Sequence, residues 1–130
     1  MDKHGGGTAS PLVVQSAQPI TLRVDSQDLY WRNVDGAIFA AAKDGSAVRK
    51  VSDNSGTSFV LDFDVNGSVV WWLWAGLQNV GPQGLFRANP DGSGFTGVDT
   101  TSDLGWNVGP RVDDTAVYYF HNRSLMKRLK

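Results

Sequence analysis

The chain has 130 residues, 41% of them apolar, with 12 basic and 13 acidic side chains and a net charge of −1, which fits one compact unit with its own core. That balance argues against nucleic acid or an anionic membrane as partner, since either requires a basic face. The absence of cysteine excludes a disulfide framework, a thiolate nucleophile and a cysteine metal site.

Residues 1–10 read as a flexible leader, rich in glycine and without the apolar stretch of a secretory signal. The segment Pro11 to Gln18, PLVVQSAQ, reads as a lone outer strand. A first unit spans residues 20–53. It opens on Ile20, Leu22 and Val24, which alternate with polar residues at the period of a half-buried strand. Leu29-Tyr30-Trp31 forms its second strand, and Ala37 to Val51 supplies two more around Asp44-Gly45. Asp-Gly and Asn-Gly pairs at Asp35, Asp44, Asn66 and Asp91 predict tight hairpins, because the glycine accepts a positive φ.

A second unit, residues 59–100, repeats this order. Phe59, Leu61 and Phe63 alternate, the run from Val69 to Gly76 is apolar on both faces, and Asp91-Gly92-Ser93 returns. The apolar run is far short of the roughly 20 residues that span a bilayer. A third unit, residues 107–130, contributes three inner strands through Val117-Tyr118-Tyr119 and Leu125-Met126. Lys127, Arg128 and Lys130 read as a solvated strand edge. Asp25, Asp64 and Asp113 each read as ending a first strand, where the carboxylate bonds its own backbone. From Asp25 to Asp113 the spacing averages about 44 residues per repeat, the length of a four-stranded propeller blade.

The expected fold is therefore all-β, a β-propeller with three four-stranded blades per chain. Three blades cannot close a ring, which typically holds about four to eight. Two copies give about 43 residues for each of six blades. The expected partner is thus a second copy, a homodimer closed by strand exchange through Leu12, Val13, Val14 and Gln15 on one side and Leu125, Met126 and Leu129 on the other, with a piece of a longer propeller or a different half-propeller as partner the alternatives.

The pattern Val24-Asp25, Leu29-Tyr30-Trp31-Arg32, Ile38 and Asp44-Gly45-Ser46 resembles the YWTD repeat of low-density-lipoprotein-receptor-type six-bladed propellers. Arg32-Asn33 stands where that family has Thr-Asp, and Val70-Trp71-Trp72-Leu73 departs further. The third unit keeps Val112-Asp113 and Val117-Tyr118-Tyr119 and loses Asp-Gly-Ser. The resemblance covers residues 12–130 and implies six blades. It implies no ligand, since propellers of this class bind unrelated partners.

Loops joining second to third strands mark the expected binding face. The second unit's connection reads as an enlarged loop, Leu73 to Gln83, carrying Trp74, Gln78 and Asn79. An indole face with two amides suits a carbohydrate or a peptide. The other reading has Trp74 covering the channel mouth or packing on its symmetry mate. Arg32, Asn33, Asp35, His121 and Arg123 are the polar residues at corresponding positions of the other units. Neither histidine has a partner at metal spacing, and no Ser-His-Asp order is present. The expectation is a non-enzymatic binding module without catalytic residues, metal or cofactor, whose ligand is a carbohydrate, peptide or protein. A shallow enzyme site using Asp35, His121 or Arg123, or a self-assembling fragment with no ligand, are the alternatives.

Overall fold

The computed structural model describes residues 7–53, 58–76, 83–100, 109–121 and 123–130. Among them there is no helix, and eleven strands fall into three antiparallel meanders. The first sheet contains β1 (Pro19–Val24), β2 (Asp28–Asn33), β3 (Ile38–Ala42) and β4 (Arg49–Ser52). The second contains β5 (Ser58–Asn66), β6 (Val69–Gly76), β7 (Gly84–Ala88) and β8 (Thr96–Asp99). The third contains β9 (Arg111–Val112), β10 (Ala116–His121) and β11 (Ser124–Leu129). None of the sheets closes on itself, and the edge of β11 is unpaired among the described residues.

The sheets stack with the second in the middle, and β6 shows why. On one face Val70, Trp72 and Trp74 pack with Phe86 against Tyr30, Ile38, Ala40 and Val51 of the first sheet. On the other face Trp71, Leu73 and Leu85 pack against Val117 and Tyr119 of the third. Side chains alternate across a strand, so a run that is apolar throughout needs a neighbour on both sides. Trp72 is fully buried, stacked on Phe86 at 6.3 Å between ring centroids and meeting Trp74 edge-on at 5.9 Å. Corresponding residues keep one register in all three sheets, with Phe39 opposite Trp31, Phe86 opposite Trp72 and Met126 opposite Tyr119.

Three hairpins use the same three-residue loop. The amide of Gly36 donates to Asn33, that of Gly45 to Ala42 and that of Gly92 to Asn89, each at 2.9 Å. The glycines hold φ of 89°, 85° and 84°, the left-handed position of a type I turn with a bulge. The preceding aspartate, Asp35, Asp44 or Asp91, accepts from the amide two residues on at 2.9–3.0 Å.

One expectation is corrected. Asp64 does not end a first strand: β5 continues to Asn66, and Gly67-Ser68 makes a two-residue hairpin with φ of 59° at both residues. The Asn-Gly pair, not the aspartate, decides where that strand turns. The segment from Leu12 to Gln15 pairs with no strand among the described residues. It lies beside the first sheet, with Gln18 accepting the Val34 amide at 2.8 Å.

Substituting Trp72→Ala removes the ring that fills the first core. The variant should lose about 3–5 kcal/mol of unfolding free energy, read from the shift of its denaturant midpoint.

Candidate functional site

The strand order places Arg32, Asn33, Trp74 and His121 at the same stage of their sheets, the end of the second strand. Their surroundings differ. Trp74 lies within β6, only 8% exposed, packed on Phe86 at 4.7 Å and near Phe95 at 5.8 Å. It is a core residue and not a loop residue, because the apolar strand continues through it. Gln78 and Asn79 lie outside the described residues.

Arg32 crosses to the second sheet and donates to the Val60 carbonyl at 2.8 Å. Burial lowers its pKa, with the Asp62 carboxylate acting in the opposite sense. Asn33 is buried, and neither its Oδ1 nor the Arg32 Nε has a hydrogen-bond partner among the described residues. Asp35 is committed to its own turn through the Ala37 amide. Arg123 is exposed in the turn before β11. His121 places Nδ1 3.8 Å from Asp99, whose carboxylate also accepts the Tyr119 hydroxyl at 2.7 Å. Burial and then that bond to Asp99 push the Tyr119 pKa up to about 12. The polar candidates thus make separate contacts: Arg32 and His121 each reach the second sheet from opposite sides, and Asp35 serves its own turn.

Sequence reasoning missed the charged residues of the first strands. β5 lies beside both β1 and β9. Arg23 of β1 lies over the Phe63 ring and reaches Asp62 at 3.5 Å and Asp64 at 3.8 Å. Arg111 of β9 reaches Asp62 at 3.2 Å, and the Val112 amide donates to Asp64 at 3.0 Å. Two carboxylates on alternate positions of one strand therefore tie all three sheets together along one edge. The Asp62-x-Asp64 spacing puts both on one face, but their cations come from distant strands.

A second device is local, and its backbone half was expected from the sequence: only the tyrosine hydroxyl was missed. Asp25 accepts the Gln27 and Asp28 amides at 2.8 Å and the Tyr30 hydroxyl at 2.9 Å. Asp113 does the same with the Thr115 and Ala116 amides at 2.8 Å and the Tyr118 hydroxyl at 3.0 Å. The spacing Asp-x4-Tyr, present at both places, was the available signal. Burial acts to raise the Asp25 pKa, but these donors outweigh it and hold it below its ordinary value. At exposed Asp113 the Thr115 and Ala116 amides lower it to about 2.

The assembly residues are placed unevenly. Leu12 and Val14 are exposed, as are Leu125 and Leu129, while Val13 and Gln15 are half-buried. Met126 faces inward, packed against the cluster around Trp71. At the far end of the stack, Leu22 and Val24 stand on the uncovered face of the first sheet. Leu12, Val13 and Gln15 border a groove of about 360 Å³ on that face, shared with Leu22, Leu29 and Trp31. No protein-family model matches the chain, and no curated protein matches it.

A depressed carboxylate pKa stabilises the fold above the unfolded value and loses that effect as pH falls through the folded value. The stability deficit of Asp113→Ala should therefore be full above about pH 4 and shrink as pH falls toward about 2. Denaturant titrations of both proteins across that range measure it.

Proposed function

We propose that the three sheets are successive blades of a β-propeller with YWTD-like repeats, and that the chain is a non-enzymatic interaction module that homodimerises into a six-bladed ring. The observation that carries this is the pair of apolar faces left at the two ends of the stack. On the first sheet Leu22 is 61% exposed beside Val24; on the third, Leu125 is 66% exposed beside Phe120 and Leu129. The two internal junctions bury such faces completely, Tyr30, Ile38 and Ala40 against Trp72 and Phe86 in one case. Residues holding the same register form the free faces: Tyr118 and Leu125 correspond to Tyr30 and Ile38, and Trp31 and Phe39 correspond to Trp72 and Phe86. The third sheet of one copy thus offers the first sheet of another the contact already used twice within the chain. Apolar patches of this kind mark association surfaces on soluble proteins.

The loop end of the ring is the proposed face for a carbohydrate, peptide or protein ligand. With Trp74 in the core, support there rests on Arg32 and Asn33, whose buried Nε and Oδ1 lack partners among the described residues. Such groups are costly to leave unsatisfied and favour a polar ligand over an apolar one.

Light scattering coupled to gel filtration should give about twice the 14.1 kDa of one chain; a mass of one chain defeats the proposal. Leu22→Glu places a charge on a position that solvent already reaches in the single chain, where it should change stability by no more than about 0.5 kcal/mol. In the dimer it is buried opposite the partner's third sheet, so the variant should elute as a folded monomer.

A further inference from the structure

The two complete sheets show how a fourth strand meets the sheet that follows it. β4 passes so close to the second sheet's Asp-Gly-Ser turn that a Cβ on Gly92 would stand 3.1 Å from the Lys50 carbonyl oxygen and 3.2 Å from that of Val51. Val51 is buried in the cluster that holds Trp72 and Phe86. The N-terminal segment approaches the first sheet at the same two places. A Cβ on Gly45 would stand 2.6 Å from the Leu12 carbonyl oxygen, and Val13 lines the groove beside Trp31.

Gly45 and Gly92 hold the same place in the same loop, and Trp31 and Trp72 hold the same register. Leu12 is exposed like Lys50 and Val13 turns inward like Val51, which matches Leu12 to Lys50 and Val13 to Val51. The segment occupies the position of a fourth strand belonging to a sheet ahead of the first, yet no strand of the described chain pairs with it. β11 has the complementary lack: its outer edge has no partner among the described residues, and Leu129 on it is 71% exposed. An unpaired edge flanked by apolar side chains is a template for another chain.

We propose that Leu12–Gln15 is the fourth strand of the third sheet of a second copy, paired antiparallel with that copy's β11. This rests on the half-ring reading and adds its register. In the first sheet Phe39 opposes Lys50 and Ile38 opposes Ser52; in the second Phe86 opposes Gly97 and Leu85 opposes Asp99. Both ladders skip one residue, Val51 or Val98, at a bulge. Val98 packs against the core between the second and third sheets, as Val51 does between the first and second. Met126 and Leu125 hold the positions of Phe39 and Ile38, opposite Tyr119 and Phe120. Leu12 then opposes the partner's Met126, Val14 opposes the partner's Leu125, and Val13 is the bulged valine. Pro11 falls at the start of the strand, where a missing N–H is tolerated.

The chain has no cysteine, so introduced pairs report directly. Opposed strand residues lie about 4.5–5.5 Å apart between Cα atoms, within disulfide range. Coexpressed Val14→Cys and Leu125→Cys chains, oxidised as the native assembly, should give a covalent species of about twice 14.1 kDa. Val14→Cys with Leu129→Cys, displaced by about 13 Å along the strand, should give none. A dimeric mass without the Val14–Leu125 cross-link, or with equal cross-linking in the displaced pair, overturns the register and leaves the half-ring reading standing. A monomeric mass with no cross-link overturns both.

Discussion

Trp71 and Trp72 are neighbours on one strand, so they point to opposite faces, and both are almost wholly buried. No arrangement of a single sheet on a single partner can achieve that. The second sheet must lie between two others, and the stacking order of the molecule follows. Leu73 and Trp74 repeat the demand one step along, and Phe86 and Leu85 answer it from β7, one on each face. Fully burying a large apolar side chain is worth about 1.5–3 kcal/mol, so uncovering a single ring of β6 removes a large share of a typical net margin of about 5–15 kcal/mol.

The turns vary more freely than the faces. The first and third sheets join their first two strands by an aspartate turn locked by a tyrosine hydroxyl, Asp25 with Tyr30 and Asp113 with Tyr118. The second uses an Asn-Gly hairpin, and Trp71 stands where the other two place tyrosine. A Trp cannot supply a hydroxyl to an aspartate, and none is required once the turn is made by Gly67 and Ser68. Asn66 holds the register of Asp25 and Asp113 there, and Asp64, two residues earlier and opposite Trp71, takes the Val112 amide of the next sheet. The same residue type thus closes a turn inside one sheet and links two sheets elsewhere, while the in-and-out pattern of the second and third strands stays fixed.

Much of this was legible from local chemistry. Asp-Gly pairs marked three loops of one geometry, and Leu29-Tyr30-Trp31, Val70-Trp71-Trp72 and Val117-Tyr118-Tyr119 align in the structure as they do in the sequence. Where the reading failed, two local signals competed. Val65-Asn66-Gly67 outweighed the Val-Asp pattern at Asp64, and an apolar run carries no mark of where its strand stops, so Trp74 looked like a loop residue. The contacts among Arg23, Asp62 and Arg111 were not legible because they depend on which first strands lie side by side. Of the loop-face candidates, Asp35 and His121 have near neighbours within the fold, and Arg32 donates to Val60 while its Nε has no partner among the described residues.

The two free faces differ from each other, which constrains any assembly built from them. One carries Leu22, Trp31 and Phe39, the other Tyr118, Leu125 and Lys127. A contact between unlike faces is heterologous, and such contacts close into rings or run on as filaments according to the rotation each step imposes. Here that rotation is already set by the two internal junctions, since the proposed third junction repeats their register and their bulged valine. If every junction turns the stack by one-sixth of a circle, two copies close with a two-fold axis and no face remains. If the turn is smaller or larger, Leu22 and Leu125 remain exposed at the growing ends and the same contact adds further copies. Closure therefore depends on the twist between neighbouring sheets, and Arg23, Asp62, Asp64 and Arg111 are the charged links that join those sheets where the first strands meet.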